Sequence, residues 1–268
     1  LQQVVVRAAG QLVVADARLA MALAADGLFG WPTREPEVTG ITGTNGKTTT
    51  AFLLYSILAA GGRRPGLLGT VEMRVGGERR AVTRTTPEAI DLQRTFRELL
   101  DAGDRSCAME ASSHASELKR LVGTRFRALV FTNLSQDHLD FHGTLDAYYE
   151  AKRRLFTEPD VDGSRPPAAV NVGDEHGRRL ADELRGLGVR TCLLSNAGVP
   201  IRTVLDRDGL TPWYDAIVLS YEVGFVKPDV RIFEAALDQL GMPASDVLMV
   251  GDNANDDGGG THLGLRTL

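Results

Sequence analysis

Val38-Thr39-Gly40-Ile41-Thr42-Gly43-Thr44-Asn45-Gly46-Lys47-Thr48-Thr49-Thr50 is the stretch that decides how this chain folds. A short apolar run enters a glycine-rich loop, and the periodic apolar segment Ala51 to Ala60 leaves it. That order predicts strand, loop and helix. Such a loop turns consecutive backbone N–H groups toward phosphate at the positive end of a helix dipole. Gly43, Thr44, Asn45 and Gly46 form the cradle, with Thr49 just behind it. In such a loop Lys47 would reach the β- and γ-phosphates, and the Thr48 hydroxyl would ligate Mg²⁺. The spacing is Gly-x-x-Gly-Lys-Thr, with Ile41 where the usual phosphate-loop pattern has its first glycine.

Three further apolar runs end in polar clusters. Cys107-Ala108-Met109 leads to Glu110 and then Ser112-Ser113-His114. Ala128 to Phe131 leads to Thr132-Asn133 and then Asp137-His138-Leu139-Asp140-Phe141-His142. Ala168 to Val170 leads to Asn171 and Asp174. In open parallel sheets ligands bind beyond the carboxyl ends of the strands, so four strands delivering Lys, Glu, Asn, His and Asp to one edge describe a phosphate and metal site. The fold class read from this is α/β, a mostly parallel doubly wound sheet. A hairpin is expected around Gly76-Gly77, where Val71, Met73 and Val75 alternate before a two-residue turn. Mg²⁺ takes hard oxygen ligands, which points to Glu110 and Thr48. His138 and His142 are joined by Leu-Asp-Phe with no cysteine near, which argues against zinc.

Composition narrows the class. With 43% hydrophobic and 24% charged residues, 268 residues suffice for a proper core. The net charge of −5 and the absence of a long basic run give no nucleic-acid surface. No apolar stretch approaches membrane-spanning length, and no signal peptide is read, so a cytoplasmic protein is expected. Cys107 and Cys192 sit in apolar runs and read as buried free thiols. The chain opens on Leu1; Val4 to Val6 and Leu12 to Val14 read as short strands, and Asp16 as the N-cap of a helix through Ala25.

Gly43-Thr44-Asn45-Gly46-Lys47-Thr48-Thr49, Thr85-Thr86-Pro87-Glu88, Met109-Glu110-Ala111-Ser112-Ser113-His114, Phe131-Thr132-Asn133-Leu134 with Asp137 to Gly143, and Ala151-Lys152 with Leu155-Phe156 follow one another in a recognisable order. Together they resemble the Mur ligases, most closely the branch that adds the third amino acid of the peptidoglycan stem peptide to UDP-MurNAc-L-Ala-D-Glu. The resemblance covers about residues 1 to 186. It implies that ATP phosphorylates the substrate carboxylate to an acyl phosphate, which an amine then attacks. It implies Lys47 on the phosphates, Thr48 and Glu110 on Mg²⁺, and His138 at a second metal position. Thr85, Thr86 and Ser112 would touch the UDP-MurNAc-dipeptide, and the incoming amino acid is the other partner. Asn133 belongs to the nucleotide site; Asn171 and Asp174 match the adenine and ribose contacts, with Gly173 where the family has a second Asp. Lys152 matches a lysine that carries a carbamate beside the metal. Read from Ala151-Lys152-Arg153-Arg154 alone, it is a solvated helix lysine.

Past Gly188 that likeness ends, and no C-terminal ligase domain is read. Cys192-Leu193-Leu194 ending in Ser195-Asn196, Ile217 to Leu219 ending in Ser220, Lys227-Pro228-Asp229, and Val247 to Val250 ending in Gly251-Asp252-Asn253 with Asp256-Asp257 resemble the second half of a haloacid dehalogenase-like hydrolase. The resemblance implies that Ser195 and Lys227 hold a phosphoryl group while Asp252 and Asp257 ligate Mg²⁺. The segment Arg231 to Leu240 between them is an amphipathic helix. The nucleophilic aspartate this chemistry needs has one candidate, Asp160-Val161-Asp162-Gly163-Ser164, which reads as a turn. The expected organisation is an N-terminal ligase remnant (1–37), a central ATP-binding domain (38–186) and a partial hydrolase segment (187–268), joined near Leu187 to Thr191. Three functions stand open: an ATP-dependent ligase whose turnover in this chain is incomplete, a phosphatase built on the C-terminal part, and an inactive nucleotide-binding chimera.

Overall fold

A computed structural model describes residues 13–159 and 163–267. The apolar run Val4 to Val6, Leu12 and the triplet Asp160-Val161-Asp162 lie outside the described residues. The chain divides into two compact units, one running through Leu155, the other comprising Phe156–Pro159 and everything from Arg165 onward.

The first unit opens with α1 (Ala17–Leu28). The Asp16 carboxylate accepts from the N–H groups of Arg18 and Leu19, both at 3.0 Å, satisfying two of the helix's orphan donors. The helix runs three residues beyond the expected Ala25, straight through Gly27. Next come β1 (Glu37–Thr42), α2 (Lys47–Ala60), β2 (Pro65–Leu68), β3 (Met73–Val75) and β4 (Glu78–Arg80). The chain continues through α3 (Ala89–Asp101), β5 (Ser106–Glu110), α4 (Ser113–Glu117), β6 (Phe126–Phe131), α5 (Leu139–His142) and α6 (Leu145–Thr157). The strands lie in the order β4-β3-β2-β5-β1-β6. β2, β5, β1 and β6 are parallel, and β2-β3-β4 form an antiparallel meander. The hairpin expected at Gly76-Gly77 joins β3 to β4, and both glycines have positive φ, 60° and 84°, as a tight primed turn requires.

Register places the chemistry. Ile41 pairs with Glu110 and Thr42 with Phe131, so β5, β1 and β6 end side by side. Two bonds continue the alignment past the strands, Ala111 N–H to Ile41 O at 2.8 Å and Thr132 N–H to Thr42 O at 2.9 Å. Beneath this edge the core is dry. Val38, Leu68, Cys107 and Met109 meet Leu92, Phe96 and Leu99 from α3, all at most 1% exposed. Each such side chain contributes roughly 1.5–3 kcal/mol on burial.

The second unit contains β7 (Ala168–Val170), α7 (Glu175–Gly186), β8 (Cys192–Ser195), α8 (Arg202–Arg207), β9 (Ala216–Leu219), α9 (Ser220–Val223), α10 (Val230–Leu240), β10 (Leu248–Met249), α11 (Ala254–Asp257) and β11 (Arg266–Thr267). β8 pairs with β9 and β10 with β11, each a parallel two-stranded ladder of its own. The amphipathic spacing expected over 231–240 is borne out: α10 buries Ile232, Phe233, Ala236 and Leu240. Cys107 is buried as expected, whereas Cys192 is only partly so. Among the described residues no helix is long and apolar enough to cross a membrane.

Candidate functional site

Gly43 occupies a place that no other residue fits. Its φ is +142°, and a Cβ there would lie 1.9 Å from Thr132 Oγ1. The loop is held from β6: Asn45 N–H donates to Asn133 Oδ1 at 2.9 Å, while Asn133 Nδ2 and Thr132 Oγ1 both donate to Asn45 O, at 3.0 and 2.7 Å. Thr44 N–H donates to Asn133 O at 2.9 Å. Gly46, at φ +86°, stands at the N-cap of α2, so the helix begins at Lys47 rather than near Ala51. The positive end of its dipole therefore falls on the loop.

Two lysines converge here. Lys47 Nζ donates to Gly43 O at 2.9 Å and to Thr44 O at 2.8 Å. Lys152 Nζ, from α6, donates to the same Gly43 O at 2.8 Å. Lys152 is 1% exposed, which overturns the solvated-lysine reading drawn from its neighbours. Its ammonium sits 4.5 Å from the Tyr148 ring centroid, and the Tyr148 hydroxyl meets Thr44 Oγ1 at 3.2 Å. Burial drives the Lys152 pKa well below the ordinary lysine value, the Lys47 charge adds to the effect, and Asp137 opposes it. Burial also lowers Lys47, against the opposing pull of Glu110 and Asp137.

Glu110, at the end of β5, is 1% exposed. Its Oε1 accepts from the Thr48 hydroxyl at 2.9 Å and from Thr70 N–H at 2.8 Å, and its Oε2 accepts from the Thr70 hydroxyl at 3.0 Å. A buried carboxylate beside a hydroxyl, both hard oxygen donors, fits a Mg²⁺ ion. Thr86 lies against the same strand end: its hydroxyl donates to Glu110 O at 2.8 Å and accepts from Ser112 N–H at 3.2 Å. Ser112 caps α4 through Ala115 N–H. Thr85 reaches the group through Thr70, Oγ1 to Oγ1 at 3.1 Å.

His138 adopts φ +51° at the N-cap of α5, its Nε2 3.5 Å from Asp137 Oδ2. It belongs to an aromatic cluster with His114 (4.7 Å between centroids), and His114 also stacks on Phe141 at 4.1 Å. Burial first, then neighbouring histidine charge, lowers the pKa of both His114 and His142. His114 and His138 line a cleft of about 840 Å³. The cleft brings together Lys47, Thr48, Glu110, His138, Lys152, Thr85, Thr86 and Ser112 from the sequence reading. It also presents residues that the reading missed: Thr70, Arg84, Arg120 and Tyr148. Arg120 donates to Thr86 O at 3.4 Å and pairs with Glu88 at 2.8 Å. Thr70 carried a usable signal, since Gly66-Leu67-Leu68-Gly69 is another apolar run ending in a polar residue.

The remaining expected residues belong to the second unit. Asn171 Oδ1 accepts from Gly173 N–H at 3.0 Å, and Asp174 caps α7 through Gly177 N–H at 2.8 Å. Lys227 Nζ pairs with Asp257, whose side chain is 2% exposed. Asn196 clamps the Lys227 backbone, Oδ1 to N–H at 2.7 Å and Nδ2 to O at 3.0 Å. Ser195 ends β8, and Asp252 is exposed beyond β10.

A parallel sheet carrying a glycine loop and a following Lys-Thr at its strand ends is a P-loop α/β fold. The Mur ligase middle domain matches residues 41–203, and the chain belongs to that family. Residues 179–268 match the haloacid dehalogenase-like hydrolase family. Over 175 residues the chain is 49% identical to the UDP-N-acetylmuramoyl-L-alanyl-D-glutamate--2,6-diaminopimelate ligase of Geobacter metallireducens, covering 64% of this chain and 34% of that one. With the ligase of the same name from Geobacter sulfurreducens it shares 43% over 195 residues, covering 72% of this chain and 38% of that one. A solved structure of a ligase of that name superposes with a TM-score of 0.56 at 30% identity, over 67% of this chain and 36% of that chain. The chain therefore spans little more than a third of the length of these relatives.

Proposed function

We propose that this chain carries the Mg-ATP-binding and carboxylate-activating part of a Mur-type ligase. One observation carries the reading: Lys47, Lys152 and the Thr48–Glu110 pair share a single cleft with Thr85, Thr86 and Ser112. Nucleotide phosphates and an acceptor carboxylate can thus be held in one place, and positioning is most of what phosphoryl transfer asks of a protein. In this reading the loop N–H groups and Lys47 hold the triphosphate. Thr48 and Glu110 would hold Mg²⁺, with His138 and the Lys152 amine, once carbamylated to an oxygen donor, at a second metal position. Mg²⁺ supplies neutralisation of phosphate charge. Thr85, Thr86 and Ser112 orient the muramoyl dipeptide so that its carboxylate oxygen attacks the γ-phosphorus. ADP leaves and an acyl phosphate forms; the amine of the incoming amino acid, 2,6-diaminopimelate in the named relatives, then displaces phosphate to give the amide. Asn171 and Asp174 enter this reading as nucleoside contacts on family likeness alone.

The proposed organisation is a ligase-derived part through about residue 186 and a hydrolase-like segment from 187, supported by family matches that overlap between residues 179 and 203. Calorimetric titration of Mg-ATP into the chain and into Lys47→Ala tests the function. Binding that disappears in the variant supports it. A chain whose unfolding is unmoved by saturating Mg-ATP would refute it, since ligand at a hundred times Kd adds about 2.7 kcal/mol.

A further inference from the structure

Thr70 lies just beyond β2 and holds both oxygens of one buried carboxylate. Its N–H donates to Glu110 Oε1 at 2.8 Å and its hydroxyl to Oε2 at 3.0 Å. Two bonds from one residue fix the carboxylate's plane as well as its position, which a single bond leaves free to rotate. The approach depends on Gly69, because a Cβ there would stand 2.7 Å from Glu110 Oε1. Thr70 Oγ1 also lies 3.1 Å from Thr85 Oγ1. A hydroxyl has one proton, and the carboxylate is the stronger acceptor. The single hydroxyl proton of Thr70 therefore goes to Glu110 Oε2 in preference to Thr85 Oγ1, the other acceptor it faces. Thr70 thus stands between Thr85 on one wall of the cleft and the carboxylate facing Thr48.

We propose that Thr70 is a positioning residue for the cation of this site: it orients the Glu110 carboxylate toward the metal. The inference rests on the Mg-ATP reading above. A hydrogen bond to an ionised group is worth roughly tenfold or more in an equilibrium constant.

Thr70→Val keeps the branched shape and the N–H but deletes the hydroxyl; Thr70→Ser restores it. Calorimetry with ATP is run in Mg²⁺ and again in EDTA. The expected result is that Thr70→Val loses about tenfold of the affinity that Mg²⁺ adds, binds metal-free ATP as the parent does, and is rescued by Thr70→Ser. Equal losses with and without Mg²⁺, or no loss, would overturn the inference. If the parent chain binds no nucleotide, the proposed function falls, and the positioning role is decided by urea unfolding of Thr70→Val, Glu110→Gln and the double variant. Midpoint shifts that fail to add support it, and strictly additive shifts overturn it.

Discussion

Replacing Lys152 by methionine isolates what two ammonium groups on one carbonyl oxygen cost the fold. Lys152 is 1% exposed and donates to Gly43 O at 2.8 Å, where Lys47 also donates at 2.9 Å. Methionine keeps an unbranched stem and removes the charge. Exchanging a buried charge for an apolar group of similar volume stabilises by about 1–4 kcal/mol. Loss of the Tyr148 ring contact gives back about 0.5–2 kcal/mol. Gly43 O is not orphaned, because Lys47 still holds it, so the penalty of about 1–3 kcal/mol for an unsatisfied buried acceptor does not arise. The variant should be more stable than the parent by about 1–2 kcal/mol at pH 7, while binding Mg-ATP more weakly.

The pH dependence gives this prediction its sign. The folded pKa of Lys152 lies below the ordinary 10.5, so between the two values the folded chain binds fewer protons than the unfolded one. Parent stability therefore rises with pH across that window, and the variant lacks this contribution. The gap should be widest below the folded pKa and close toward the unfolded value. Urea unfolding from pH 7 upward, in CO₂-free buffer to keep the amine free, measures it. A parent more stable than the variant at pH 7, or a gap indifferent to pH, would refute the reasoning.

Gly43→Ala would need at least 3.0 − 1.9 = 1.1 Å of new clearance from Thr132 Oγ1, at a φ that alanine rarely adopts. Strain of about 1–3 kcal/mol is expected, together with loss of Mg-ATP binding; parent-like melting and binding would show that the loop yields more than its bonds suggest. Asp257→Asn strands the Lys227 ammonium and should cost about 3–5 kcal/mol at neutral pH. Burial pushes the Asp257 carboxyl up, but bonds from Lys227 and Asn253 N–H outweigh it and leave the pKa lowered. A depressed carboxylate contributes stability that is present above its unfolded value of about 3.9 and lost as pH falls through the folded one. The difference in urea midpoint should thus hold from pH 7 to about 5 and shrink in acid; a difference that survives at the acid end would point to shape rather than charge.

Much of the fold was legible because local chemistry and tertiary demand agree. Asp16 caps α1, Gly76-Gly77 turns the hairpin, and the strand-end clusters at Glu110 and Asn133 gather at one sheet edge. Lys152 shows where neighbours mislead. Ala151-Lys152-Arg153-Arg154 looks solvated, and the two arginines do reach outward, to Glu150 and Glu117. Yet Tyr148, Ala151, Lys152 and Phe156 share the buried face of α6 at helical spacing. Periodicity held the answer; composition concealed it. Thr70 and Arg120 were missed for a different reason. Thr70 follows an apolar run that could have flagged it, but the partner that gives each its role lies forty and thirty-four positions away in sequence, at Glu110 and Thr86.

Electrostatics separates the two lysine centres and so weighs the two halves of the chain against each other. In the second unit Lys227 is neutralised by Asp257, and their mutual pairing leaves little field for an incoming anion. In the first unit Lys47 and Lys152 give their hydrogen bonds to neutral carbonyl oxygens and share one of them. While the Lys152 amine is uncarbamylated, a phosphate oxygen arriving there replaces neutral acceptors by an anionic one, which strengthens each bond, and it screens two like charges held close in a buried setting. At Lys227 the same anion would have to displace a carboxylate already in place. The first unit therefore gains from binding a polyphosphate what the second would lose, which is why the functional proposal rests on Lys47 and Lys152 rather than on Lys227 and Asp257.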